Sequence, residues 1–239
     1  MRTDAGVVRG SAVGSVRVFN GIPYAAPPTG RLRWVAPQPV RPWTGVRAAT
    51  EARSPCPQQQ NPEVPNGSTF EDCLYVNVTT PARATVRPVV VWVPGGGFFS
   101  GAGSSYGPRK LVERGDVVVV TINYRLAIFG SFGHPGLPGS GTYGLQDQQA
   151  ALRWVQRNAR AFGGDPLRVT LVGESAGGMS VCAQLTSPKA VGLFSKVIMQ
   201  SGSCAFNWDD NSQYPGQAAD SPWSPQSAVR RNGAEVAVR

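Results

Sequence analysis

The sequence predicts an α/β domain: a mostly parallel sheet with flanking helices. Three observations lead there. Pro88-Val-Val-Val-Trp-Val93 and Asp116-Val-Val-Val-Val-Thr-Ile122 are short, continuous apolar runs, as expected of strands buried on both faces. Residues 143–162 read as a helix, because Leu145, Leu152, Val155, Ala159 and Phe162 recur at spacings of seven, three, four and three, which lines them up on one face. The order strand, helix, strand, helix, strand is the one that a parallel sheet with crossover helices produces.

Taken in order, Gly6–Gly10 and Val16–Phe19 read as the arms of an N-terminal hairpin joined by residues 11–15. Prolines between Gly21 and Trp43 exclude regular structure and suggest an extended coat on the surface. A polar loop fills 51–70, and Glu71–Val78 enters a strand with alternating apolar residues. Residues 107–114 suit a short crossover helix between the two apolar strands. Gly163-Gly164 stops the long helix. Arg168–Val172 is the next strand, a helix follows to about Leu185, and Lys196–Gln200 is a further strand. Residues 205–222 are a polar loop. Ser224-Pro225 reads as a helix N-cap with proline at the first helical position. The helix it starts carries Val229, Ala234, Val236 and Val238 up to Arg239, and the expectation is of a chain cut inside that helix. All 239 residues read as one partial domain.

The chemistry lies in Gly173-Glu174-Ser175-Ala176-Gly177, a G-x-S-x-G segment between a strand and a helix. A serine hydroxyl is a poor nucleophile unless it is exposed, aimed and activated. A sharp strand-to-helix turn lifts it above the sheet, and flanking glycines permit that turn. Acyl transfer also needs donors for the tetrahedral oxyanion. The N–H of Ala176, just after the serine, is one. The Gly95-Gly96-Gly97 turn, at the end of the Val89–Val93 strand, can aim others inward. Both features fall at the carboxyl ends of parallel strands, where open α/β sheets bind ligands.

Composition excludes other classes. The net charge of +9 comes almost wholly from arginine. These arginines are scattered, with no run longer than Arg230-Arg231, so a nucleic-acid partner is not expected. There is no apolar run of membrane-spanning length. No basic-then-apolar signal peptide opens the chain. The four cysteines form no CxxC pair and no Cys/His cluster, so no metal is expected. Cys182, in the helix after the serine, reads as a small buried apolar residue.

These segments, together with several others, resemble the type-B carboxylesterase/lipase family, the cholinesterase-like branch of the α/β-hydrolases. The resemblance is carried by Gly21-Ile-Pro-Tyr-Ala-Ala-Pro-Pro-Thr-Gly30, Pro42-Trp-Thr-Gly45, Glu71-Asp-Cys-Leu-Tyr-Val-Asn77 and Gly95-Gly-Gly-Phe98. It continues through Asn123-Tyr-Arg125, Gly144-Leu-Gln-Asp-Gln148, Phe162-Gly-Gly-Asp-Pro166, Gly173-Glu-Ser-Ala-Gly-Gly178 and Gln200-Ser-Gly202, in the family's order. It spans residues 5 to about 204 and implies an α/β-hydrolase fold with the C-terminal part missing. It further implies Ser175 as nucleophile, Gly96, Gly97 and Ala176 as oxyanion donors, and Glu174 as the acidic neighbour of the nucleophile. It implies a Cys56–Cys73 disulfide beside the active-site mouth and an Arg33–Glu71 ion pair at the base of that loop. The substrate would be a small-molecule uncharged carboxylic ester, with no cofactor, and Phe98, Phe99 and Trp223 would line its acyl or alcohol side. The implied disulfide favours an oxidising, secreted setting.

Three departures from the family pattern matter. Pro94 stands where many members have histidine. The Cys56–Cys73 loop is short and has no tryptophan, which argues against choline esters. The triad acid and histidine, which in the family follow the serine by a long stretch, have no counterpart. His134 is the sole histidine and falls in a variable loop rather than at the base position, while Asp209, Asp210 and Asp220 match no motif. The reading is a serine carboxylesterase represented by its N-terminal portion and inactive alone. The alternatives are a non-catalytic, cholinesterase-like binding or adhesion module and a degraded gene product.

Overall fold

The computed structural model describes every residue except 63, 84, 206, 213, 214, 217 and 239. Its strands and helices, in chain order, are β1 (Val7–Arg9), β2 (Ser11–Val13), β3 (Val16–Pro23), β4 (Val46–Ala48), β5 (Tyr75–Pro81) and β6 (Arg87–Val93). These are followed by α1 (Arg109–Gly115), β7 (Val118–Ile122), α2 (Ala127–Ser131), α3 (Tyr143–Asn158), β8 (Gly164–Glu174), α4 (Ala176–Thr186), β9 (Lys196–Gln200) and α5 (Gln226–Ala237). A seven-stranded sheet runs β2-β3-β5-β7-β6-β8-β9. Its β7-β6-β8-β9 half is parallel, and β2, β3 and β5 join it through antiparallel pairings. This is the mostly parallel, helix-flanked sheet of the α/β-hydrolase fold.

Side-chain alternation explains why helices cover both faces. Val118, Val120 and Ile122 of β7 join Val89, Val91 and Val93 of β6 in the main core with Leu152, Val155 and Val181 of α3 and α4. Val119, pointing the other way, packs with Val112 of α1 and Val16. All of β7 is buried, so its unbroken apolar run reflects two dry faces. In β6 the second face is half-buried, with Val90 packed beside the small Val16, Val112 and Val119 cluster and Trp92 against the Tyr106 ring.

Several elements differ from expectation. The N-terminal hairpin is β2 with β3, paired Val13 to Val16 across Gly14-Ser15. β1, read from the sequence as one arm, instead pairs in parallel with β4. Its only positional cue in the sequence was apolar content, and the segment just after the proline-rich coat supplies its partner strand. The long helix stops at Asn158 and tightens into a 3₁₀ turn over Ala159–Phe162, with Gly163 left-handed at φ 79°. Ser224 does not cap α5, whose first flanking residue is Pro225 and which has no side-chain cap. That helix packs back on the loop after α2: a Cβ on Gly133 would lie 2.5 Å from Val229 Cγ1. Arg239, where the sequence reading placed the cut, lies outside the described residues.

Cys182 is also not a lone apolar residue. It bonds Cys204 across 22 residues, alongside Cys56–Cys73 across 17. Loops of this size contribute about 3 kcal/mol each in the chain-entropy account. Among the described residues no helix is long and apolar enough to cross a membrane.

One buried ion pair fixes the floor of the site. Arg125, at the end of the β7 connection, donates from its backbone N–H, Nε and Nη2 to Asp147 of α3 at 3.0, 2.8 and 2.8 Å. Its guanidinium also lies 5.2 Å from the Tyr143 ring centroid. Burial pushes the Asp147 carboxyl up from its ordinary value, opposed by hydrogen bonds and charge from Arg125. Removing one member of such a pair strands the other charge, which typically costs about 3–5 kcal/mol. Asp147→Asn should therefore lose about that much in denaturant unfolding. Arg157→Ala, which breaks the exposed pair with Asp4, should lose less than about 1 kcal/mol. Equal losses would contradict the assignment.

Candidate active site

The carboxyl ends of β6 and β8 bring the glycine turn and the serine together. β8 stops at Glu174, and Ser175 turns the chain at φ 55° and ψ −124° into α4. That conformation is strained for a residue with a Cβ. The sharpness of the turn is enforced by backbone crowding. A Cβ on Gly173 would sit 2.2 Å from Gly177 O, and one on Gly177 would sit 2.1 Å from Val93 O. Only glycine fits at either position. Ser175 is half-buried, and among the described residues no side chain hydrogen-bonds its hydroxyl.

The neighbouring turn leaves β6 through Pro94. Gly96, Gly97 and Phe98 all have positive φ, at 104°, 61° and 65°. The Gly96 carbonyl accepts from the N–H groups of Phe99 and Ser100 at 2.9 and 3.0 Å, which closes the turn. A Cβ on Gly95 would lie 3.2 Å from Ser175 Cβ and 2.9 Å from Glu174 Oε2, so the turn packs directly on the serine and its acidic neighbour. The N–H groups of Gly96, Gly97 and Ala176 have no acceptor among the described residues. For Ala176 this follows from its place at the start of α4, where the first N–H groups lack helical partners.

Supports surround this pair, and of these Gln58 and Arg33 belong to no motif. Tyr124 OH donates to Pro94 O at 2.9 Å. Burial pushes that phenol well up, so it stays a neutral donor. Proline at position 94 removes an N–H but leaves the carbonyl that Tyr124 holds. Gln58, inside the Cys56–Cys73 loop, accepts from Gly101 N–H at 2.9 Å and donates to Gly101 O at 3.0 Å. Gly101 in turn abuts Gly95, its would-be Cβ lying 2.4 Å from Gly95 O. At the base of the same loop, Arg33 Nε donates to Glu71 at 2.6 Å and Nη2 makes a second, shorter contact. Glu71 raises the Arg33 pKa through that bond.

A cavity of about 470 Å³ adjoins the glycine turn. Gly97, Phe98 and Phe99 form one wall, and Trp208, Trp223 and Val229 from the C-terminal segment form another. Trp208 was not singled out in the sequence, because it sits in a polar loop with no periodicity. Ser175 is not among the lining residues; the turn joins it to the cavity. His134 does not line it either. Its Nδ1 accepts from Gly136 N–H at 3.1 Å, and its ring stands 6.3 Å from that of Phe132. Asp209, Asp210 and Asp220 are exposed. No group of three or more potential metal ligands occurs among the described residues.

The model of the carboxylesterase family matches residues 1–223. Para-nitrobenzyl esterase of Bacillus subtilis is 48% identical over 215 residues, covering 84% of this chain and 43% of that protein. Acetylcholinesterase of Bungarus fasciatus is 43% identical over 224 residues, covering 86% and 37%. A solved thermophilic PNB esterase superposes with a TM-score of 0.80 at 47% identity, over 84% of this chain and 44% of the other. The chain thus spans less than half the length of these relatives.

This strand-to-helix elbow at Ser175 can be tested sterically. Gly177→Ala should destabilise the fold on the order of 3 kcal/mol, because its methyl meets backbone rather than a movable side chain. Gly107→Ala, with open space around it, should change stability by less than about 0.5 kcal/mol. Thermal melts of the two variants decide the matter, and a tolerated Gly177→Ala would contradict the packing.

Proposed function

The chain belongs to the carboxylesterase family, and from that premise we propose that it supplies the nucleophile and oxyanion donors of a serine carboxylic ester hydrolase. The observation that carries this reading is the packing of Gly95 against Ser175 and Glu174, with the N–H groups of Gly96, Gly97 and Ala176 left unengaged among the described residues. Ser175 Oγ attacks the ester carbonyl as its proton passes to a histidine base. Negative charge moves onto the carbonyl oxygen, where the N–H groups of Gly96, Gly97 and Ala176 receive it. The tetrahedral intermediate then collapses as the base hands its proton to the leaving oxygen, releasing the alcohol and leaving an acyl group on Ser175. Water, deprotonated by the same base, reverses the sequence and frees the acid. Glu174, beside Gly95, places a carboxylate where it favours the imidazolium formed in transit.

The base and its acid come from outside these 239 residues, since His134 is committed to its own loop. Residues 1–239 are accordingly part of a single hydrolase domain. The substrate is an uncharged ester. Phe98, Phe99, Trp208 and Trp223 give the cavity an apolar, aromatic lining, and the guanidinium of Arg125 in its wall is neutralised by Asp147. That lining takes a carbon skeleton by desolvation rather than by charge.

In the polypeptide the gene encodes, Ser175→Ala should lower p-nitrophenyl ester hydrolysis by roughly 10⁴-fold or more. It should also abolish labelling by a fluorophosphonate. Activity surviving that substitution, or label on another residue, would refute the assignment. The 239-residue chain alone should hydrolyse the same ester far more slowly than the encoded polypeptide, because donors without a base retain only a small part of the rate. Comparable rates would place a base within these residues.

A further inference from the structure

The serine is propped from behind by the exit of β9. Ser175 N–H donates to Gln200 O at 2.8 Å. Gly202 follows so closely that a Cβ on it would lie 2.4 Å from Ser175 O and 3.0 Å from Met179 N. From the other side, a Cβ on Gly178 of α4 would lie 3.0 Å from Gln200 O and 3.2 Å from Gly202 O. Between Gln200 and Gly202, Ser201 sits at φ 51°. One hydrogen bond therefore joins two segments that each hold a left-handed serine, Ser175 and Ser201. Such conformations persist only where the surroundings over-determine them.

β9 is held to β8 by a five-residue parallel ladder that ends with Gln200 opposite Glu174, and Ser201 lies just beyond that end. The Cys182–Cys204 disulfide adds a covalent restraint there. Cys182 is 5% exposed on α4, two turns beyond Ser175, and Cys204 lies two residues after Gly202 at the surface. The result is a closed ring: Ser175 along α4 to Cys182, across the sulfurs to Cys204, back to Gln200, and through its carbonyl to Ser175 N–H. Slack anywhere in the ring moves the nucleophile against the glycine turn.

Building on the reading of Ser175 as nucleophile, we propose that Cys182–Cys204 is a positioning tether for Ser175, making the reactivity of the serine depend on the oxidation state of this pair. Opening it takes two electrons and two protons. With a water-soluble phosphine the disulfide is reduced to two thiols, water supplies the hydrogens and the oxygen, and the phosphine leaves as its oxide. Cys204 is exposed, whereas Cys56 and Cys73 are 1% and 0% exposed, so a limiting dose opens the tether first.

The test is made on the polypeptide the gene encodes, oxidised and after limiting reduction, with alkylated cysteines located by mass spectrometry. Fluorophosphonate labelling at Ser175 should slow by about 10- to 100-fold in the bond-forming rate constant, as expected for a small misplacement of a reacting group. The probe's binding constant should stay unchanged, the Ser175 amide should exchange faster, and reoxidation should restore both readings. A Cys182→Ala/Cys204→Ala variant should show the slow rate with no response to reductant; if it does not fold, the reduction and reoxidation of the native protein carry the result. An unchanged rate and unchanged amide exchange, with Cys182 and Cys204 alkylated, would overturn the tether, as would a fall in melting temperature alone. Failure of the oxidised protein to label at Ser175 would overturn the nucleophile reading itself and, with it, the tether's catalytic role.

Discussion

The architecture turns on the absence of side chains between the end of β6 and the start of α4. Gly173 and Gly177 let β8 and α4 close to van der Waals limits against each other and against Val93 O. That closeness forces Ser175 into its left-handed conformation and sets it beside the glycine turn. The favourable energy that tolerates this strain lies elsewhere, in the buried valines of β6 and β7 and the apolar face of α3. The site is thus a locally costly turn carried by a well-packed sheet.

Around the turn, polar contacts do the fixing. Tyr124 holds Pro94 O, Gln58 holds Gly101, and Arg125 with Asp147 ties the end of β7 to α3. Each anchors backbone, not substrate. A glycine-rich loop has little intrinsic preference for one shape, so its donors stay aimed only if its ends are held. The three consecutive positive φ values at Gly96, Gly97 and Phe98 show how far this loop is from a relaxed conformation.

The parts legible in the sequence were those with a strong local signature. The apolar runs of β6 and β7, the helical stripe of α3 and the glycine-flanked serine each announce themselves within a few residues. The hairpin register was not legible, because β1, β2 and β3 are short and similar, and the strand that claims β1 lies some forty residues on. α2, five residues long, is too brief for a periodic pattern. The Cys182–Cys204 pair was missed because burial explained Cys182 adequately and its partner sits in an irregular loop; an even cysteine count was the only available hint. Trp208 reaches the cavity through tertiary folding of a polar loop.

The central claim is that the turn and the elbow form one oxyanion-binding unit around Ser175. A crystal structure of the encoded polypeptide carrying a phosphonate ester on Ser175 tests it most directly. The account predicts the phosphoryl oxygen within about 3 Å of the N–H groups of Gly96, Gly97 and Ala176. A phosphoryl oxygen turned to solvent, with those N–H groups bonded elsewhere, would contradict it.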